Sequence, residues 1–164
     1  MTKIDFQKIY ARGLMTKIPS LEILELSHET VPEGISYSSN LDCSKIELAK
    51  YPPNTRTKLY VHRNQTDYIH VVRGKLIIWV VLSEGKYQYI SLNESDSFVV
   101  KVLPKIPHGG INPYEETCVF VNAIVLHKPR KPIDYRPITP PFPYDMEKAL
   151  SSQIPKEQIR LYSG

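Results

Sequence analysis

Residues 60–74 read YVHRNQTDYIHVVRG and, together with the later segment 103–112, LPKIPHGGIN, they decide the fold. In the first segment, His62 is followed five residues later by Asp67 and then by a closing glycine. The second segment carries His108 and, four residues on, an asparagine. Both place groups that bind metals or move protons among residues that favour strands. The pattern is typical of a small β-barrel with a site at its mouth.

The chain around these segments is predicted to form short antiparallel strands. The strand candidates are residues 21–26, 45–51, 58–63, 67–72, 75–82, 87–92, 98–103 and 118–126. Turn sequences such as SEGK and NESD divide them, and no helical period intervenes, so the spacing predicts a sandwich or barrel. The segments HETVPEG and PKIPHGG are interpreted as turns, and residues 36–42 as loop or edge.

We predict one domain over residues 1–164, with the core barrel at about 45–126 and an N-terminal extension that includes a short helix over 5–14. From residue 128 the sequence KPRKPIDYRPITPPFPYD is too rich in proline for regular structure. It predicts an extended C-terminal arm, 128–164, that packs on its own barrel or on a second subunit. A final helix over 146–153 is expected, with Asp145 as its cap.

Composition argues against several classes of protein. The formal charge of +4 comes from basic residues spread along the chain, so no nucleic-acid partner is expected. The longest apolar run, LIIWVVL, is too short to cross a bilayer, so no membrane partner is expected. Two cysteines are too few for a disulfide scaffold, and the N-terminal sequence lacks the apolar core of a secretory signal. We therefore expect a cytoplasmic protein.

At these residues the sequence resembles the cupins, a superfamily of small β-barrels defined by two motifs. In the first motif, Tyr60 and His62 stand at the places of two histidines, Asp67 stands at the place of a glutamate, and the spacing to the glycine fits. In the second, His108 and the asparagine fit, whereas Lys105 replaces a glycine. The resemblance implies an all-β fold, a double-stranded β-helix or jelly-roll barrel with the extension and arm described above.

The sequence is also distantly similar to the dTDP-4-dehydrorhamnose 3,5-epimerases within this superfamily, through QTDYIHVVRGK and IPHGG. Those enzymes need no metal and use a histidine base and a tyrosine acid to move protons beside a ketone. The resemblance implies His62 as the base and Tyr60 as the acid. Leu59 stands where those enzymes have an arginine, and Asp67 stands where they have a lysine.

Metal binding is the second chemistry that the motifs predict. His62, Asp67 and His108 form a set of two histidines and one carboxylate, which can hold Fe, Mn, Ni or Zn as a divalent ion with open positions. The cofactor is thus a divalent metal or none. Strand alternation places Lys58, Tyr60 and His62 on one face. Lys58, Tyr60 and His108 are the residues expected to bind a polar small-molecule substrate.

Three functions follow from these residues. The leading hypothesis is an isomerase or epimerase of sugars or nucleotide sugars. The alternatives are a metal-dependent oxygenase that uses the three ligands as a facial triad, and a non-catalytic cupin that binds a small metabolite. The resemblance further implies a homodimer.

Overall fold

The computed structural model describes residues 21–31, 34–38, 42–81, 86–129, 131, 135–141, 143–152 and 159–161. The helix predicted over 5–14 lies outside these residues. Within them, no helix has the length and apolar character that crossing a bilayer requires.

Two sheets and a hairpin contain the fourteen strands of this part of the chain. The strands are β1 Leu21–Glu25, β2 Ser27–Val31, β3 Gly34–Ser38, β4 Lys45–Tyr51, β5 Thr55–Arg56, β6 Leu59–His62, β7 Gln65–Arg73, β8 Lys75–Val81, β9 Tyr87–Asn93, β10 Phe98–Val102, β11 His108–Asn112, β12 Cys118–Leu126, β13 Tyr135–Ile138 and β14 Ile159–Leu161. One sheet has the order β14-β1-β10-β7-β12-β4, the other has β13-β6-β11-β8-β9 with β5 beside β11, and β2 pairs with β3. Every pairing is antiparallel except that of β1 with β14.

The main core fills the space between the two sheets. Alternation along the strands turns apolar side chains inward, including Ile69 and Val71 from β7, Leu76 and Ile78 from β8, and Phe120 from β12. Towards one end of this space the lining becomes polar and a cavity of about 210 Å³ remains. The all-β barrel predicted from the sequence is confirmed.

The C-terminal arm covers the outer face of the second sheet. There Trp79 is fully buried, and the ring of Tyr144 packs on it edge-on with 4.1 Å between ring centroids. A helix, α1 Met146–Leu150, follows, and its N-cap Asp145 accepts a hydrogen bond from the backbone N–H of Lys148 at 2.9 Å. The predicted cap is confirmed, and the described part of the arm packs on its own barrel.

Four segments that were predicted as turns, as loop or edge, or as an extended arm contain strands instead. The predicted turn at HETVPEG is largely the hairpin of β2 and β3, and the predicted loop from Ser36 overlaps β3. His108 begins β11, where a turn was expected, because the turn ends at Pro107. Inside the proline-rich arm, β13 pairs with β6 and places Pro137 opposite Tyr60. A sheet edge tolerates proline, since no neighbour needs its missing N–H.

Candidate functional site

The polar end of the cavity brings together residues from both sheets. The first sheet contributes Asp67 from β7 and Asn122 from β12, and the second contributes His62 from β6 and His108 from β11. Cross-strand pairing sets this arrangement, because His108 lies opposite Tyr60 in β11 and β6. The site thus depends on packing the two sheets face to face.

Asp67 lies at the centre of this group and is almost fully buried, with 1% of its surface exposed. Its Oδ1 accepts hydrogen bonds from Gln65 Nε2 at 2.6 Å and from Asn122 Nδ2 at 2.8 Å. Its Oδ2 has no hydrogen-bond partner among the described residues and lies 3.6 Å from His108 Nε2 and 3.9 Å from His62 Nε2. Both distances exceed those of hydrogen bonds.

His108 is held with one nitrogen directed at this carboxylate. Its Nδ1 lies 2.8 Å from the carbonyl oxygen of Ile106. A carbonyl only accepts, so Nδ1 carries a proton, and in the neutral imidazole Nε2 is left with a lone pair. This is the arrangement of a metal-binding histidine, whose second nitrogen is commonly fixed by a carbonyl or carboxylate.

His62 completes the group from the end of β6. Its ring lies 5.4 Å from the ring of His108, measured between centroids. One ligand atom from each of His62, Asp67 and His108 lies within 4.8 Å of the other two. The three predicted metal ligands are therefore neighbours, and they bring two imidazole nitrogens and one carboxylate oxygen close together.

Two tyrosines line the same cavity. Tyr60, the predicted acid, comes from β6. Tyr51 comes from β4, and burial raises its pKa to about 12, with smaller contributions from Tyr60 and Cys118. Tyr51 therefore keeps its proton at neutral pH and can donate a hydrogen bond.

Lys58 and His70 lie away from the cavity. Lys58 is exposed just before β6, and it is not among the residues that line the cavity. Its substrate-binding role stays a prediction. His70 faces the other side of β7, as alternation predicts, and its Nδ1 lies 2.9 Å from the carbonyl oxygen of Phe98.

Sequence reasoning missed several residues of the cavity wall, among them Glu47, Tyr51, Gln65 and Asn122. Alternation alone could have found Gln65, which is two residues before Asp67 on β7, had the strand been started early enough. Glu47 and Asn122 lie opposite each other in the pairing of β4 with β12, and predicting them as cavity residues would have required knowing that pairing.

No family model matches this chain, and no curated protein matches it by sequence. The structure does match solved structures. The dTDP-4-dehydrorhamnose 3,5-epimerase of Sulfolobus tokodaii is 13% identical with a TM-score of 0.63, over 88% of this chain and 86% of that one. A 4-keto-6-deoxy sugar epimerase of Streptomyces spheroides is 15% identical with a TM-score of 0.63, over 88% and 79%.

A sugar 3,4-ketoisomerase of Thermoanaerobacterium thermosaccharolyticum, solved in complex with TDP, is similar over 73% of this chain and 89% of that one, with 12% identity and a TM-score of 0.61. At such identities the likeness concerns the fold. The described chain therefore shares the barrel fold of these sugar epimerases and isomerases, which confirms the fold that the sequence resemblance implied.

Proposed function

We propose that this chain is an isomerase or epimerase that acts on a carbonyl-containing sugar or nucleotide sugar in the barrel cavity. The observation that carries the proposal is Asp67 Oδ2, buried and without a hydrogen-bond partner among the described residues, between the Nε2 atoms of two histidines. The fold adds support, because similar structures are sugar epimerases and isomerases, and one ketoisomerase was solved with TDP-4-keto-6-deoxyglucose.

A divalent ion fits this donor set. A carboxylate oxygen that is buried without a partner is costly, and a cation between it and the histidines would remove that cost. His62, Asp67 and His108 would hold Fe, Mn, Ni or Zn. A bound ion would polarise the carbonyl of the substrate and stabilise the negative charge that develops on its oxygen.

The two roles predicted for His62 exclude each other at one nitrogen. A histidine that binds a metal through Nε2 cannot accept a proton there. His62 Nε2 and Asp67 Oδ2 are 3.9 Å apart, which is too far for a hydrogen bond between a histidine base and a carboxylate that orients it. This distance also favours metal ligation by His62. Among the described residues that line the cavity, Glu47 is then the remaining carboxylate that can accept a proton.

In this proposal the proton donors are the phenol groups of Tyr51 and Tyr60. Tyr51 stays protonated because burial raises its pKa to about 12, and Tyr60 shares the cavity with it. A phenol beside the developing oxyanion would donate a hydrogen bond to it. Tyr60 keeps its predicted acid role in this proposal, and Tyr51 is added as a second donor.

The test follows proton exchange directly. The protein is incubated in D₂O with TDP-4-keto-6-deoxyglucose, with and without each of the four metals, and ¹H NMR records loss of the protons next to the carbonyl. We expect metal-dependent exchange that His108→Ala and Asp67→Ala abolish. His70→Ala is the matched control, because His70 lies on the same strand as Asp67 but outside the cavity. Absence of exchange with every metal would contradict the proposal.

An iron-dependent oxygenase is the second candidate, because two histidines and one carboxylate also form the facial triad of such enzymes. Oxygen consumption by the Fe(II)-loaded protein, without proton exchange, would favour it. Tight sugar binding with neither reaction would favour a non-catalytic binding protein.

A further inference from the structure

Two amide side chains meet the same oxygen of Asp67. Gln65 Nε2 donates at 2.6 Å and Asn122 Nδ2 donates at 2.8 Å, and both hydrogen bonds reach Oδ1. Hydrogen bonds to a carboxylate are stronger than those between neutral groups, and these two are short. They occupy the oxygen that faces away from the histidines and leave Oδ2 directed at them.

The backbone sets both contacts. Gln65 and Asp67 are two residues apart on β7, so their side chains project from the same face. Asn122 lies on β12, two positions from Ile124, the residue opposite Asp67. It is a diagonal neighbour, at a separation that an asparagine and an aspartate can span. Gln65 is 5% exposed, so water competes little for its amide.

The orientation of the Asn122 amide is imposed by Asp67. With Nδ2 turned to the carboxylate, Asn122 Oδ1 is buried and meets no donor among the described residues. Such an unpaired acceptor destabilises a protein. The reverse orientation would place an amide oxygen against a carboxylate oxygen, which repel each other. The hydrogen bond from Asn122 Nδ2 to Asp67 therefore stabilises this orientation by more than the unpaired Oδ1 of Asn122 destabilises it.

We propose that Gln65 and Asn122 are positioning residues that make Asp67 a single-oxygen ligand for the ion held with His62 and His108. The inference rests on the proposed metal site. With Oδ1 occupied, Asp67 cannot chelate through both oxygens. An ion held by one atom from each of the three residues would keep open positions for substrate and water.

The test compares Gln65→Met and Asn122→Leu, which remove one amide each at similar volume, with Thr66→Val. Thr66 is the matched control, because it lies between Gln65 and Asp67 in sequence and contacts His127 instead. Zn(II) affinity is measured by competition with a chelator, and Co(II)-loaded proteins are compared by visible absorption. We expect each amide variant to bind Zn(II) about 10- to 100-fold more weakly, and Thr66→Val to bind like the wild type.

The Co(II) spectrum separates positioning from a purely structural role. With one amide removed, Oδ1 of Asp67 has a free lone pair and could also bind the ion, which would raise the coordination number and lower the visible absorbance. A lower melting temperature with unchanged affinity and spectrum would overturn the inference and leave the metal site intact. If one of the two amide variants does not fold, the other amide variant provides the test. A wild-type protein that binds neither ion would overturn the metal site and the inference together.

Discussion

Lys105 donates its backbone N–H to the carbonyl oxygen of His62 at 2.6 Å, from a left-handed conformation with φ of 69°. The turn that contains Lys105 also supplies the Ile106 carbonyl that fixes His108. One tight turn therefore holds both histidines of the site. A glycine stands at the place of Lys105 in the cupin motif, and the positive φ gives the reason, because side chains with a Cβ are strained there.

Lys105→Gly should stabilise the protein. Removing Cβ relieves a strain of about 1–2 kcal/mol, and the greater freedom of glycine in the unfolded chain offsets part of it, so we expect a net gain of about 0.5–1 kcal/mol. Urea unfolding measures it. Asn54→Gly is the control, since Asn54 also has a positive φ, 57°, but asparagine tolerates that conformation, so its gain should be smaller. Equal gains would contradict the explanation.

Gly109→Ala should destabilise the protein and change the fluorescence of Trp79, the single tryptophan. A Cβ at Gly109 would lie 2.4 Å from Trp79 Nε1 and 3.0 Å from the carbonyl oxygen of Lys58. We expect a loss of about 1–3 kcal/mol, as for other overpacked sites. Urea unfolding followed by tryptophan emission records both effects.

Gly110→Ala is the matched comparison. Its Cβ would lie 2.9 Å from Tyr51 Cε2, at the wall of the cavity, so the main effect should be weaker ligand binding with little change in Trp79 emission. The same emission change in both variants would show that Trp79 does not report on packing at Gly109.

Stability should fall as pH rises from about 10 to 12. Burial raises the pKa of Tyr51 from 10.0 to about 12, so in this range the folded protein retains a proton that the unfolded chain has lost. The stabilising contribution is complete below pH 10 and disappears by pH 12, with an upper value of roughly 3 kcal/mol. Urea unfolding at several pH values measures the slope.

Tyr51→Phe should flatten part of this dependence. The remainder is expected to come from groups such as Cys118, whose pKa burial raises from 9.0 to about 11. An unchanged slope in Tyr51→Phe would exclude Tyr51 as a source of the alkaline instability.

Tyr144→Ala should loosen the arm. The Tyr144 ring packs on Trp79, and the guanidinium of Arg56 lies 4.8 Å from its centroid. Because Tyr144 is only partly buried, we expect a loss of about 2 kcal/mol, below that of a fully buried aromatic residue. Trp79 emission should shift to longer wavelength as water reaches the indole. Leu150→Ala, an exposed site on α1, should leave both quantities unchanged.

The strands of the barrel could be predicted from the sequence because each strand is indicated by residues within its own segment. The apolar patterns and turn sequences predicted eight strands to within two residues at each end, and β4 and β12 have the predicted bounds. The motif glycine and asparagine have backbone roles in the structure: Gly74 has a φ of 77°, and Asn112 Nδ2 lies within hydrogen-bond distance of three backbone carbonyls, those of Tyr51, Pro52 and Glu116. These features shape turns and loops, which explains why the motifs indicate fold better than reaction.

The site was predictable only in part. His62, Asp67 and His108 lie on conspicuous motif positions, whereas Asn122 reaches Asp67 through the register of β12 with β7, which no local pattern reveals. The strand β13 was missed because Pro137 argues against strand formation unless the strand is known to lie at an edge.

The pairing of β13 with β6 also bears on the order of folding. In β6, which carries Tyr60 and His62, four residues pair with β13 and one pairs with β11. The chain between β6 and β13 includes most of the barrel, so this contact closes a long loop and has a high entropic cost. We therefore expect β6 to pair stably with β13 late in folding, after β7 to β12 have assembled. His62 and His108 would then come close together only when folding is nearly complete.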